Sequence, residues 1–264
     1  MPKIMKPSFI RFAICAFIVI LSTRLQAATP PKPSLKLTLA ETKAAAILRD
    51  VDATMKKHKT MTANFVVDRS CGARYLGSLL LMKPNYARVE YRYTSKKKQF
   101  TQTAGSDGKN FWIYPLAPEI NPVREYSKRR LEFDEKVIYL PGGAHFFAYV
   151  FFGVDRALEL ETIGQLKPRY VGVEQWNGAS YRVLQHEENS RNRRLTNRLF
   201  VGRDNVVQRQ IITLIKVDEN SRRETKCTSD MQFSNVKFGA PLSASRFTFK
   251  VPAGVQQWKE ESTK

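Results

Sequence analysis

The sequence predicts a mainly β protein with helices, built on one large antiparallel sheet of about ten to eleven strands. Three observations carry that reading. From Met61 onward, apolar and aromatic residues recur at every second position in short runs separated by turn residues. Only one stretch, following Thr38, has clear helical spacing, and no repeat period or linker divides residues 38–264. A single domain of that length suits a barrel or half-barrel.

The amino terminus is a targeting segment. Lys3, Lys6 and Arg11 precede the apolar run Phe12 to Leu21, and small residues follow at Ala27 and Ala28. This is the pattern of a secretory signal peptide over residues 1–27, cleaved near Ala27. Residues 28–37, with three prolines and no periodicity, read as a tether. Cleavage leaves 40 of the 44 basic residues against 24 acidic ones, a net charge of +16. Outside the cytoplasm such a surface meets anionic headgroups and polyanions rather than nucleic acid, and transient contact with an anionic membrane is expected. Cys71 and Cys227 remain after cleavage in a compartment that permits disulfides. They read either as a disulfide or as two free thiols.

In the domain 38–264, Thr38 followed by Glu41 is a capping box. Ala44, Ile47, Leu48, Val51 and Met55 then follow at helical spacing, so an amphipathic helix is expected to about His58. Strands are expected at Met61–Asp68, Tyr75–Lys83, Tyr86–Tyr93, Gln99–Ala104 and Phe111–Tyr114. In Tyr86–Tyr93 the odd positions are apolar or aromatic and Arg88, Glu90 and Arg92 alternate with them, which gives one buried and one wet face. Further strands are expected at Tyr170–Gln175 and Ser180–His186 around an Asn177-Gly178 turn, at Leu195–Val201 and Val206–Lys216, at Thr225–Asn235, and at Arg246–Val251.

Between the two groups of strands lies Pro141 to Gly153, with five aromatics in seven positions. It is too short to span a bilayer. It reads either as an ordinary buried helix of the core or as a short helix across the mouth of an apolar cavity, with glycines at both ends to let it move.

Catalytic and metal chemistry find no support. His58, His145 and His186 are far apart in sequence without a second ligand at metal spacing, and neither a G-x-S-x-G elbow nor a phosphate loop occurs. Paired acids at Glu187-Glu188 and Glu260-Glu261 are adjacent, which on a strand points them to opposite faces. No enzyme activity, metal or cofactor is expected.

The order of motifs resembles the LolA-like periplasmic carriers of outer-membrane lipoproteins. The residues that carry the resemblance are Thr62-Ala63-Asn64-Phe65, the strand from Gly77 to Lys83-Pro84-Asn85, and the hairpin from Gly105-Ser106-Asp107-Gly108-Lys109 to Trp112 and Tyr114. The turn Gly202-Arg203-Asp204-Asn205 and the run Ala244 to Gly254 complete it. The resemblance implies an incomplete antiparallel β-barrel covered on its concave face by helices, with acyl chains bound between sheet and helices. The aromatic stretch then takes the place of the lid helix. Phe146, Phe147, Tyr149, Val150 and Phe151 become expected ligand contacts, with Phe65, Leu79, Leu81, Val89 and Tyr91 from the strands, and Trp112 and Tyr114 beside them.

Family carriers have an arginine before the Pro-Asn pair that latches the helices, and here that position is Lys83. A lysine is a point charge without the planar fork of arginine, so the latch would be built differently. The implied function is a monomeric periplasmic carrier that moves lipoproteins or other lipids from an inner-membrane donor complex to an outer-membrane acceptor. The alternative is a lipid-sensing envelope regulator of the same fold acting through a protein partner. The ten residues after Gly254 leave no room for the second domain such regulators carry, which favours transport.

Overall fold

A computed structural model of the chain describes residues 37–95, 98–115, 125–130, 151–152, 168–190, 192–218 and 221–257, with 95, 98, 125–130 and 256 by backbone alone. The expected signal peptide and all of the tether but Leu37 fall outside the described residues, as do Phe146, Phe147, Tyr149 and Val150. No described helix is long and apolar enough to cross a membrane.

The chain enters through α1 (Leu39–Lys57), whose start is fixed by the capping box: Thr38 Oγ1 accepts from the Glu41 amide at 3.3 Å and Glu41 Oε2 accepts from the Thr38 amide at 2.7 Å. Ala44, Ala45, Ile47, Leu48, Val51 and Met55 are buried along one stripe. Burying the four larger of these side chains is worth about 6–12 kcal/mol gross. The cap contributes about 0.5–2 kcal/mol. Packing on the sheet, rather than capping, therefore holds this helix in place.

Among the described residues twelve strands form one sheet: β1 (Thr60–Arg69), β2 (Arg74–Met82), β3 (Tyr86–Ser95), β4 (Lys98–Asp107), β5 (Asn110–Tyr114), β6 (Glu125–Arg130), β7 (Arg169–Trp176), β8 (Ala179–Ser190), β9 (Arg193–Val201), β10 (Val207–Val217), β11 (Glu224–Phe238) and β12 (Gln256–Gln257). Their order is β12-β6-β5-β4-β3-β2-β1-β11-β10-β9-β8-β7. Neighbours are antiparallel except the short β12–β6 pair. The sheet does not close on itself among the described residues, so it is an open sheet with one main helix.

Pairing of β1 with β11 joins the two halves of the chain. Cys71 and Cys227 are disulfide-bonded beside that seam, 156 residues apart in sequence. The bond ties the β1–β2 turn to β11, which decides between the two readings of these cysteines.

Two expectations need correction. No strand forms at Arg246–Val251; Ala244–Phe247 is a 3-10 helix and residues 248–255 belong to no strand. Phe247, Phe249 and Val251 do alternate with polar residues, but Phe247 is used as a plug. It is fully buried against the sheet, its carbonyl accepts from Trp112 Nε1 at 3.2 Å, and its ring lies 5.6 Å from that of Tyr86. The second correction is β6, which the sequence did not announce because Glu125-Tyr126-Ser127-Lys128-Arg129-Arg130 has no apolar alternation.

Candidate functional site

The face of the sheet beneath α1 is built from cross-strand rows of like parity. Met61, Leu81 and Ala87 form one row; Ala63, Leu79, Val89, Ala104 and Ile113 form the next. The third contains Phe65, Gly77 and Tyr91, and the fourth Val67, Tyr75, Tyr93 and Phe100. These side chains and the buried stripe of α1 belong to one apolar cluster. Phe65, Leu79, Leu81, Val89 and Tyr91 thus lie together on the inner face, as the alternation in β1 to β3 required.

Gly77 makes the third row possible. A Cβ there would stand 2.6 Å from Phe65 Cζ and 2.7 Å from Tyr91 Cβ. The missing side chain gives the Phe65 ring its space.

Trp112 and Tyr114 are on the opposite, outer face. Register settles this: Ile113 pairs with Ala104 of the inner cluster, so Trp112, paired with Gly105, points away. Gly105 leaves room for the indole, since a Cβ there would lie 2.8 Å from Trp112 Cζ2. Trp112 stacks on Phe249 at 4.9 Å, and Tyr114 lies 5.9 Å from the same ring. They line an outer cavity of about 420 Å³ with Arg88, Lys250 and the 3-10 segment rather than the space under α1. The glycine opposite Trp112 was the signal in the sequence that could have assigned the face. A second outer cavity, about 450 Å³, lies over Gly77 between Leu76, Glu90 and Arg92.

Lys83, at the end of β2, is where the sheet meets its cover. Its Nζ donates to the carbonyls of Met55 at 3.0 Å and Lys56 at 3.1 Å, both at the negative end of α1. The same Nζ sits 4.9 Å above the ring of Phe151, which is helical and fully buried. Burial lowers the Lys83 pKa, opposed by the nearby Asp52 carboxylate and assisted by Lys56. Asp52 binds Lys56 at 2.8 Å through Oδ2, while its buried Oδ1 has no partner. One ammonium thus joins strand, helix end and the last aromatics of the Pro141–Gly153 stretch. Phe151 packs edge-on against Phe152, which also contacts the inner cluster.

In the strands β8 to β10 the inner face changes character. The row containing Leu184 and Leu199 includes the buried Gln210, and one row further His186 pairs with Asn197. Sequence reasoning missed this polar group, because Gln210 and Asn197 sit within runs that otherwise read as apolar strands. Aromatics here lie on the outer face instead: Tyr181, Phe200 and Trp176 form a second cluster. Arg209 lies over the rings of Trp176 and Phe200 and pairs with Asp230, whose hydrogen bond raises the Arg209 pKa.

No family model matches the chain, and no curated protein matches it. Among solved structures it is similar to the Pseudomonas aeruginosa MucA/MucB complex, at 14% identity over 79% of this chain and 61% of the matched one, with a TM-score of 0.42. The chain therefore spans about three fifths of that match. It is also similar to a DUF1329 family protein from Desulfovibrio piger, at 8% identity over 80% and 98% of the two chains and a TM-score of 0.28. A third similar structure is a LolA superfamily protein from Nitrosomonas europaea, at 15% identity over 78% of this chain and 97% of the other, with a TM-score of 0.33.

Proposed function

We propose that this protein is a periplasmic, non-enzymatic carrier that binds the acyl chains of lipoproteins or other lipids between its sheet and its helical cover. The observation that carries the reading is Lys83. An apolar face under a helix is ordinary core, but here the helix end and Phe151 meet at one strand-borne ammonium. Releasing the Lys83 ammonium separates the end of α1 from Phe151 without breaking any strand pairing, and leaves the buried stripe of α1 as what the cargo must displace. The order of LolA-like motifs along the sequence supports the same function.

The energetics suit carriage. Each buried CH₂ is worth about 0.8 kcal/mol, so one long acyl chain contributes on the order of 10 kcal/mol gross. Closure of the cover over the inner face competes with that gain and lowers net affinity, which permits hand-over to an acceptor. The net positive charge of the mature chain aids docking on an anionic donor or membrane.

The test is mass spectrometry of organic extracts from the mature protein purified out of its native envelope fraction. A stoichiometric acylated species is expected. No extractable lipid, together with failure to take up a fluorescent fatty acid, overturns the carrier reading and leaves the regulatory alternative, acting through a protein partner.

A further inference from the structure

On the inner face, His186 and Asn197 are directly opposed on β8 and β9, and the His186 Nδ1 atom is buried with no partner, unlike the buried Gln102, Ser106 and Gln210 of the same face, which are hydrogen-bonded. Gln210 donates through Nε2 to Asn197 Oδ1 at 3.1 Å, which fixes the Asn197 amide with its Nδ2 turned away from Gln210. No described residue accepts from that Nδ2. Period two places this pair on the face of Leu184 and Leu199, which pack in or against the inner cluster. A buried nitrogen without a partner, as His186 Nδ1 is, is costly in such surroundings and calls for a cause. We infer that the His186–Asn197 pair is a polar subsite that holds the carbonyl group at the root of an acyl chain while the chain itself lies over the apolar rows of β1 to β5.

The chemistry favours a neutral acceptor over an anion. Asn197 supplies N–H donors outright, and His186 supplies one in its Nδ1–H tautomer. Of the cations near this face, Lys43 is committed over the Tyr170 ring at 3.9 Å. Arg193 shares the parity of Asn197 but lies four positions along β9, roughly 13 Å away at strand spacing, where it pairs with Lys216. An ester or amide carbonyl fits what remains. Both sources offer the same acceptor, attached to the same kind of chain.

This subsite rests on the carrier reading above, and the test separates the two. The mature protein is titrated with dipalmitoylglycerol and with its dialkyl ether analogue, which has the same chains and no carbonyls. A second pair compares N-palmitoylethanolamine with 2-hexadecyloxyethanol, and displacement of a bound fluorescent fatty acid is the readout. A roughly tenfold preference for the carbonyl-bearing member of either pair is expected from one or two added hydrogen bonds. Which pair shows it identifies the source as ester or amide. His186→Leu with Asn197→Leu should abolish that ratio and leave ether affinity unchanged. Equal affinity within both pairs in the unmutated protein overturns the subsite while leaving the carrier reading in place, and needs no variant to fold. Failure of all four probes and the fatty acid to bind overturns the carrier reading and the subsite with it.

Discussion

The two halves of the sheet use their faces in opposite ways. In β1 to β3 the buried inner side chains are apolar or aromatic, with Val67, Leu79, Leu81 and Val89 fully buried, the two buried polar groups of β4, Gln102 and Ser106, each donate to a backbone carbonyl, and Arg88, Glu90 and Arg92 occupy the outer face. In β8 to β10 the inner face holds His186, Asn197 and Gln210, while Tyr181, Phe200 and Trp176 are outside, braced by Arg209. Alternation therefore predicts that a strand has two unlike faces, but not which face meets the cover. In the amino half the pattern and the helix agree. In the carboxyl half they do not, and the exchange of polar for apolar residues on the covered face marks where it does something other than pack.

The largest effect expected from separating the halves is loss of the disulfide that crosses their seam. Replacing Cys71 and Cys227 together by serine releases a loop of 156 residues in the unfolded chain, and the chain-entropy model puts the loss at about 5 kcal/mol. Chemical denaturation of the oxidised protein and the double variant measures it. Equal midpoints would mean that the β1–β11 ladder alone sets stability at the seam.

Next come paired truncations, one in each half. Phe65→Ala and Phe200→Ala each remove a buried aromatic and should cost about 3–5 kcal/mol. Their effects on lipid uptake should differ, because Phe65 is on the covered face and Phe200 on the outer one. If both variants, assayed where both remain folded, lose fatty-acid binding equally, the distinction between the faces has no functional content. Gly77→Ala is the subtler probe of the same row. Its Cβ meets the Phe65 ring and the strand backbone, and overpacking of this kind costs about 1–3 kcal/mol. A neutral result would show that the row yields more easily than its register implies.

Much of this architecture was legible in the sequence, for local reasons. Thr38 and Glu41 announced α1, and the alternation of Ala87, Val89, Tyr91 and Tyr93 announced both β3 and its buried side. What failed depended on partners distant in the chain. Phe247 alternates like a strand residue, yet its place is set by Trp112, 135 positions away. Trp112 and Ile113 are equally apolar, and only the pairing of β4 with β5 decides which one faces α1. At the candidate site, sequence placed Lys83 at the strand end, but its acceptors are backbone carbonyls, which no side-chain pattern encodes. The polar pair His186 and Asn197 was hidden similarly, since opposition across β8 and β9 is a matter of register.

The smallest effect concerns Lys83, and it has a defined sign. Burial lowers its pKa in the folded protein below the ordinary lysine value, so the folded state binds fewer protons than the unfolded chain over the interval between the two values. Stability linked to this group therefore rises as pH increases through that interval and is flat well below it. Lys83→Met removes the titration together with the two hydrogen bonds to α1. The difference in stability between the original protein and this variant, followed from neutral pH toward the lysine range, should grow in favour of the original protein. A difference that shrinks with rising pH would mean that the ammonium gains more from Asp52 and the helix carbonyls than burial takes away. Lys83 would then be a strong latch and not the weak one that cargo exchange requires.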